Sequence, residues 1–151
     1  MLYLINDNKN GENYIMKPQI KILNQKELEK IAPAAKLAHG ISELKKKMIA
    51  DYENNTGFQS SPELKKKRND EYRNGIEVKH GRKYIRISFT FAGGHKSIWG
   101  FIVKTQDDSK FKFGDILYPN GCNSPARNKR RGNVVENWLP SIRWTGPALL
   151  I

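Results

Sequence analysis

Cysteine occurs once in the 151 residues, at Cys122. One thiol closes no intramolecular disulfide and makes no thiolate zinc site, which excludes a disulfide scaffold and fits a reducing compartment. Acid is scarce as well: 15 Asp and Glu stand against 27 Lys and Arg, a formal charge of +12. An acidic solvating tail is excluded and a polyanionic partner is favoured. Long apolar runs are missing. None approaches the roughly 18 residues of a membrane span, and mean hydropathy is −0.70, so no membrane partner is expected. The start, Met1-Leu2-Tyr3-Leu4-Ile5-Asn6-Asp7, lacks the basic and continuous apolar regions of a signal peptide. His39, His80 and His95 fall in separate segments with no ligand spacing. No metal or cofactor is expected. Aromatics, at 10%, are too frequent for a disordered chain.

What is present divides near Gly75. Residues 1–75 hold 14 basic and 10 acidic residues, and residues 76–151 hold 13 and 5. The periodicity changes at the same place, from about 3.6 to 2. Residues 1–23 read as an extended arm with short apolar runs at 14–16 and 20–23. Residues 24–75 read as a helical region. Asn24 and Glu27 form a capping-box signature. Pro33 is expected to kink or restart the helix, and Gly40 to end it. A second pattern follows through Ile41, Leu44, Met48, Ile49 and Tyr52. Ser61-Pro62-Glu63 starts another helix, because serine caps, proline suits the first position and glutamate complements the dipole. That helix is polar apart from Leu64 and Tyr72, so it is either solvated or docked.

Residues 76–151 read as an antiparallel sheet domain. Ile76–Lys79 and Lys83–Phe91 alternate around His80-Gly81 as a hairpin. Ile85, Ile87, Phe89 and Phe91 share one face, and Tyr84, Arg86, Ser88 and Thr90 the other. In the next strand Trp99, Phe101 and Val103 oppose Ile98 and Ile102, which predicts a central strand covered on both sides. A fourth strand is expected over 111–118, a basic loop or short helix over 125–132, and a last strand over 141–144. The fold class is therefore α+β: four to five antiparallel strands packed on N-terminal helices.

Several motifs exclude themselves. Gly93-Gly94-His95-Lys96-Ser97 lacks the Gly-Lys-Ser order of a phosphate loop. Glu77-Val78-Lys79 matches the carboxylate-x-lysine part of a metal-dependent nuclease site, but no second carboxylate is placed to share the metal. His80, His95 and Asp115 can meet only through the fold. Nothing amounts to a catalytic motif, and Cys122 reads as structural. Trp138 and Trp144 read as packing residues.

The binding candidates are basic. Arg127, Lys129, Arg130 and Arg131 crowd into five residues with no acid nearby, and Asn128 adds a hydrogen-bonding side chain. Such a run attracts phosphates and releases their counterions. The plain alternative is a solvated loop. A second group surrounds the hairpin: Arg82, Lys83 and Arg86 with Lys79, and Tyr84 interleaved. Its face can hold a base and its phosphate, or be an ordinary polar sheet face. Lys45-Lys46-Lys47 and Lys65-Lys66-Lys67-Arg68 read as solvated helix surface.

A resemblance joins these segments. Gly81-Arg82-Lys83-Tyr84-Ile85-Arg86-Ile87, Trp99-Gly100-Phe101-Ile102-Val103, Gly114-Asp115-Ile116-Leu117, Ser124-Pro125-Ala126-Arg127 and Arg131-Gly132-Asn133-Val134 follow an order that resembles small bacteriophage proteins. The resemblance implies a phage origin, hence host cytoplasm or virion, and brings no activity with it. The expected function is that of a phage accessory protein binding DNA, RNA or another polyanion. A module binding a virion or host protein, as a structural component or an inhibitor, is the alternative. A nuclease using Glu77 and Lys79 is a third reading.

Overall fold

A computed structural model describes residues 5–7, 13–15, 24–55 and 61–148. The chain divides into two compact units, Met1–Ala32 and Pro33–Ile151. In the first, β1 (Ile5–Asp7) pairs antiparallel with β2 (Asn13–Ile15). The other run expected in the arm, 20–23, lies outside the described residues.

Helix α1 (Gln25–Asn55) begins with the capping box. The Asn24 side chain accepts from the Glu27 N–H at 2.9 Å, and the Asn24 N–H donates to the Glu27 carboxylate at 3.1 Å. The expected restart at Pro33 and stop at Gly40 are not found, because α1 continues through both for 31 residues. Gly40 serves close packing instead. A Cβ there would lie 2.1 Å from the Val134 carbonyl oxygen. Around it Leu37, Ile41, Leu44, Met48 and Tyr52 form one buried stripe. Helix α2 (Pro62–Gly75) starts as read, with the Ser61 hydroxyl accepting from the Leu64 N–H at 3.5 Å. This polar helix docks through Tyr72, which is fully buried and stacked on Tyr52 with ring centroids 4.1 Å apart.

Five strands follow: β3 (Glu77–His80), β4 (Tyr84–Phe91), β5 (His95–Val103), β6 (Asp115–Pro119) and β7 (Pro125–Asn133). They lie in chain order as an antiparallel meander, with β5 central. The α+β class is thus observed. Gly100, Phe101, Ile102 and Val103 are all buried, as a covered central strand requires.

Three details differ from the simple alternation. Ile87 pairs with Gly100 but Ser88 pairs with Ile98, which leaves Trp99 as an extra residue. That bulge resets the period. Trp99 and Ile102 therefore join Ile85, Ile87 and Ile116 in the helix-side core, while Val103 and Leu117 lie with Phe111 on the outer face. The expected strand over 111–118 begins only at Asp115. Gly114 has φ +88°, and the Asp115 carboxylate accepts from the Lys112 N–H at 2.8 Å, so the chain turns there. Finally, 125–132 is neither a loop nor a helix but most of β7. Cations in a first helical turn oppose the helix dipole, whereas the strand pairs with β6.

A small hairpin, β8 (Ile142–Arg143) with β9 (Gly146–Pro147), closes the helix side. Three elements hold it. Asp51 of α1 accepts from the Trp144 N–H at 2.7 Å, the Tyr72 hydroxyl of α2 donates to the Trp144 carbonyl at 2.9 Å, and Trp99 of β5 donates to the Arg143 carbonyl at 2.8 Å. Burial first, and then the Asp51 charge, push the Tyr72 hydroxyl well above its ordinary pKa, so it stays a donor.

Two substitutions test this packing. Gly40→Ala should destabilise the protein by about 1–3 kcal/mol, read as a lowered urea midpoint. A wild-type midpoint would contradict the close approach to Val134. Asn133→Ala should cost about 3 kcal/mol, because it leaves buried Asp115 and several backbone groups short of partners. Asn133 now donates to Asp115 at 2.9 Å and to the Phe113 carbonyl at 3.1 Å, and accepts from the N–H groups of Val135 and Glu136 at 2.8 Å.

Candidate nucleic-acid interface

The outer face of β3, β4 and β5 carries the hairpin group. Lys79 lies opposite Arg86 in register, and Arg86 opposite Phe101. With Arg82, Lys83 and Tyr84 they line a concavity of about 270 Å³ that no acidic residue enters. Phe101 and Tyr84 form its aromatic side, edge to face with centroids 6.2 Å apart. Arg86 donates to the Cys122 carbonyl at 3.1 Å, which brings the β6–β7 loop to the rim. Cys122 itself is exposed, so its side chain is not the structural element expected of it. The expected polar face is shorter than read, because Ser88 is buried. Tyr84 and Arg86 are its members at the site.

The five-residue cluster is dispersed rather than concentrated. Strand geometry sends neighbours to opposite faces, and acids from outside the run meet two of the residues, Arg127 and Arg130. Arg127 forms a two-pronged pair with Asp108 at 2.8 and 2.9 Å, lies over the Phe111 ring at 5.0 Å and donates to the Tyr84 hydroxyl. Arg130 lies 3.5 Å from Asp115 and 3.9 Å from Glu136, over Trp138 at 4.7 Å. Arg131 is buried against the Tyr118 ring. The expectation that no acid neutralises the run is therefore corrected: β7 carries it past the acids of the 104–115 segment and of the following turn. Asn128 and Lys129 remain exposed, and Lys129 has no ion pair among the described residues.

The Arg127–Tyr84 bond makes the two predicted groups contiguous across the outer face. Sequence reasoning missed Asp108, which holds that junction. It acts within a turn, where it accepts from the N–H groups of Lys110 and Phe111, each at 2.9 Å. The Arg127 guanidinium, helped by those two N–H groups, holds the Asp108 carboxyl well below the usual carboxylate range.

The remaining candidates resolve separately. Glu77 pairs with Lys96 at 2.8 Å, which lowers its pKa. Among the described residues no group of three or more His, Cys, Asp or Glu side chains can hold a metal ion. His80 and His95 sit at opposite ends of β4, opposite Ile85 and Phe91. That is a separation of about 20 Å along the strand. Asp115 is buried in the Asn133 network. Trp144 is a packing residue, whereas Trp138 is exposed beneath Arg130. Lys45 and Lys46 border an apolar groove of about 710 Å³ between α1 and β3. Lys66 and Lys67 are exposed on α2. No helix among the described residues is long and apolar enough to cross a membrane.

No protein-family model, curated protein or solved structure matches this chain.

The Asp108 pair predicts a pH dependence. A carboxyl whose folded pKa is depressed contributes stability that is complete above its unfolded pKa, about 3.9, and is lost as pH falls through the folded value. Asp108→Asn should therefore lower the urea midpoint at pH 7, and the deficit should shrink as pH is taken below about 4. A deficit independent of pH would show that the carboxylate charge does not matter.

Proposed function

We propose that this protein binds nucleic acid on the outer face of its sheet, with the concavity of Lys79, Arg82, Lys83 and Arg86 around Tyr84 as the centre of contact. The observation that carries this reading is the convergence of four cations on an acid-free, aromatic-sided hollow. Phosphates supply the counter-charge, and displaced counterions supply the driving force. Lys129 and Asn128 extend the surface from β7. Arg127 positions Tyr84 and Phe111 and is itself neutralised, so it contributes shape more than charge. The resemblance to small phage proteins supports a phage accessory role, in the host cytoplasm or the virion.

Binding of a single-stranded oligonucleotide should weaken with salt, by about 0.7 in log affinity per log salt for each phosphate neutralised. Lys83→Gln with Arg86→Gln should reduce that slope by roughly 1.4, measured by fluorescence anisotropy. An unchanged slope and affinity would remove the hollow as the binding surface. Recovery of a protein partner from nuclease-treated lysate, with no oligonucleotide binding at low salt, would favour an interaction module instead.

A further inference from the structure

Arg131 belongs to a different place from its basic neighbours. Arg130 pairs with Leu117 and Gly132 with Ile116, so Arg131 is the extra residue of a bulge in β7. Its neighbour across the strands, Tyr118, follows outer-face Leu117 and therefore points to the helix-side face. There Arg131 is only 7% exposed, lies 5.2 Å over the Tyr118 ring, and forms no ion pair among the described residues. Its Nε is buried with no acceptor. Burying a guanidinium without a counter-ion is costly, and a cation–π contact offsets only part of that cost.

A pocket opens beside its side chain. Arg131, Arg143, Thr145 and Tyr118 line a pocket of about 540 Å³ walled by Pro147. Arg131 is its buried cation, while Arg143, Thr145 and Tyr118 are exposed around the opening. No acidic residue lines it. We propose that this pocket is an anion site for a terminal phosphate group, one that enters end-on, meets the Arg131 fork and is closed over by Arg143 and the Thr145 hydroxyl. Guanidinium forks match phosphate oxygens in pairs. A buried cation behind an exposed one suits a monoester, whose oxygens are free on one side, better than an internal diester flanked by chain. The proposal is independent of the outer-face reading, because the two sites share no residue.

The test is a titration of the full chain with inorganic phosphate, followed by NMR at arginine Nε–H groups, against a chloride control of matched ionic strength. The Arg131 signal should shift saturably with phosphate only. Arg143→Gln, at an exposed position, should weaken that binding at least fivefold, whereas Lys83→Gln should leave it unchanged. A 5′-phosphorylated dinucleotide binding more tightly than its 5′-hydroxyl form would assign the phosphate to a nucleic-acid end. Equal binding of inorganic phosphate and the 5′-phosphorylated form would assign it to the free anion. No saturable shift, or the same shift in chloride, would overturn the site. Loss of oligonucleotide binding in the outer-face variants with this titration intact would separate the two proposals.

Discussion

Everything on the helix side of the sheet depends on how Trp144 is held. Its backbone N–H and carbonyl are bonded by Asp51 and Tyr72, side chains of two different helices, and the preceding carbonyl is bonded by Trp99 of the sheet. Its ring meets Tyr52, Tyr72, Phe89 and Phe91 edge-on, with centroids 5.1 to 6.0 Å away. Buried polar groups and buried aromatics are satisfied by one another at a single point. This arrangement gives polar α2 a reason to dock, and it holds the β8–β9 hairpin over the sheet. The hairpin in turn supplies Arg143 and Thr145 to the pocket around Arg131.

The second constraint is the pair Asp115 and Asn133, directly opposite each other in β6 and β7. Asn133 uses both donors and its acceptor within the network. The glycine before Asp115 admits no Cβ, which would lie 2.6 Å from Val135 and 2.9 Å from the Asn133 oxygen. The Gly-Asp and Arg-Gly-Asn segments that carry the resemblance are therefore read physically as two halves of one structural joint. Their contribution to the proposed binding surface is indirect. They fix the register of β7, and so decide which of its cations faces outward and which is buried.

Charge then acts at three levels. Arg127 and Arg130 meet carboxylates, and the aromatic rings beneath them add to the hold. Lys79, Arg82, Lys83 and Arg86 converge without any acid in their hollow. Arg131 is buried without an ion-pair partner among the described residues. A single net charge hides these differences, which follow from strand alternation and from where the 104–115 segment folds back.

The sequence by itself determined the local structure: the Asn24–Glu27 box, the Ser61 cap, the hairpin at His80-Gly81, the period-2 strands and the excess of cations after Gly75. Each rests on contacts a few residues apart or on a repeat visible along the chain. The hairpin cations were legible as a group for the same reason, since one turn brings them together. Tertiary structure decided the rest. Gly40 reads as a helix stop until Val134 lies against it. Residues 125–132 read as a loop or helix until β6 offers a ladder. The cation run reads as unneutralised until Asp108 and Asp115 fold beside it. In each case the deciding contact joins residues far apart in the chain or comes from a strand partner, and no local pattern encodes it. A bulge makes the same point within a strand, because one extra residue reverses every face beyond it, and only the paired register reveals where it falls.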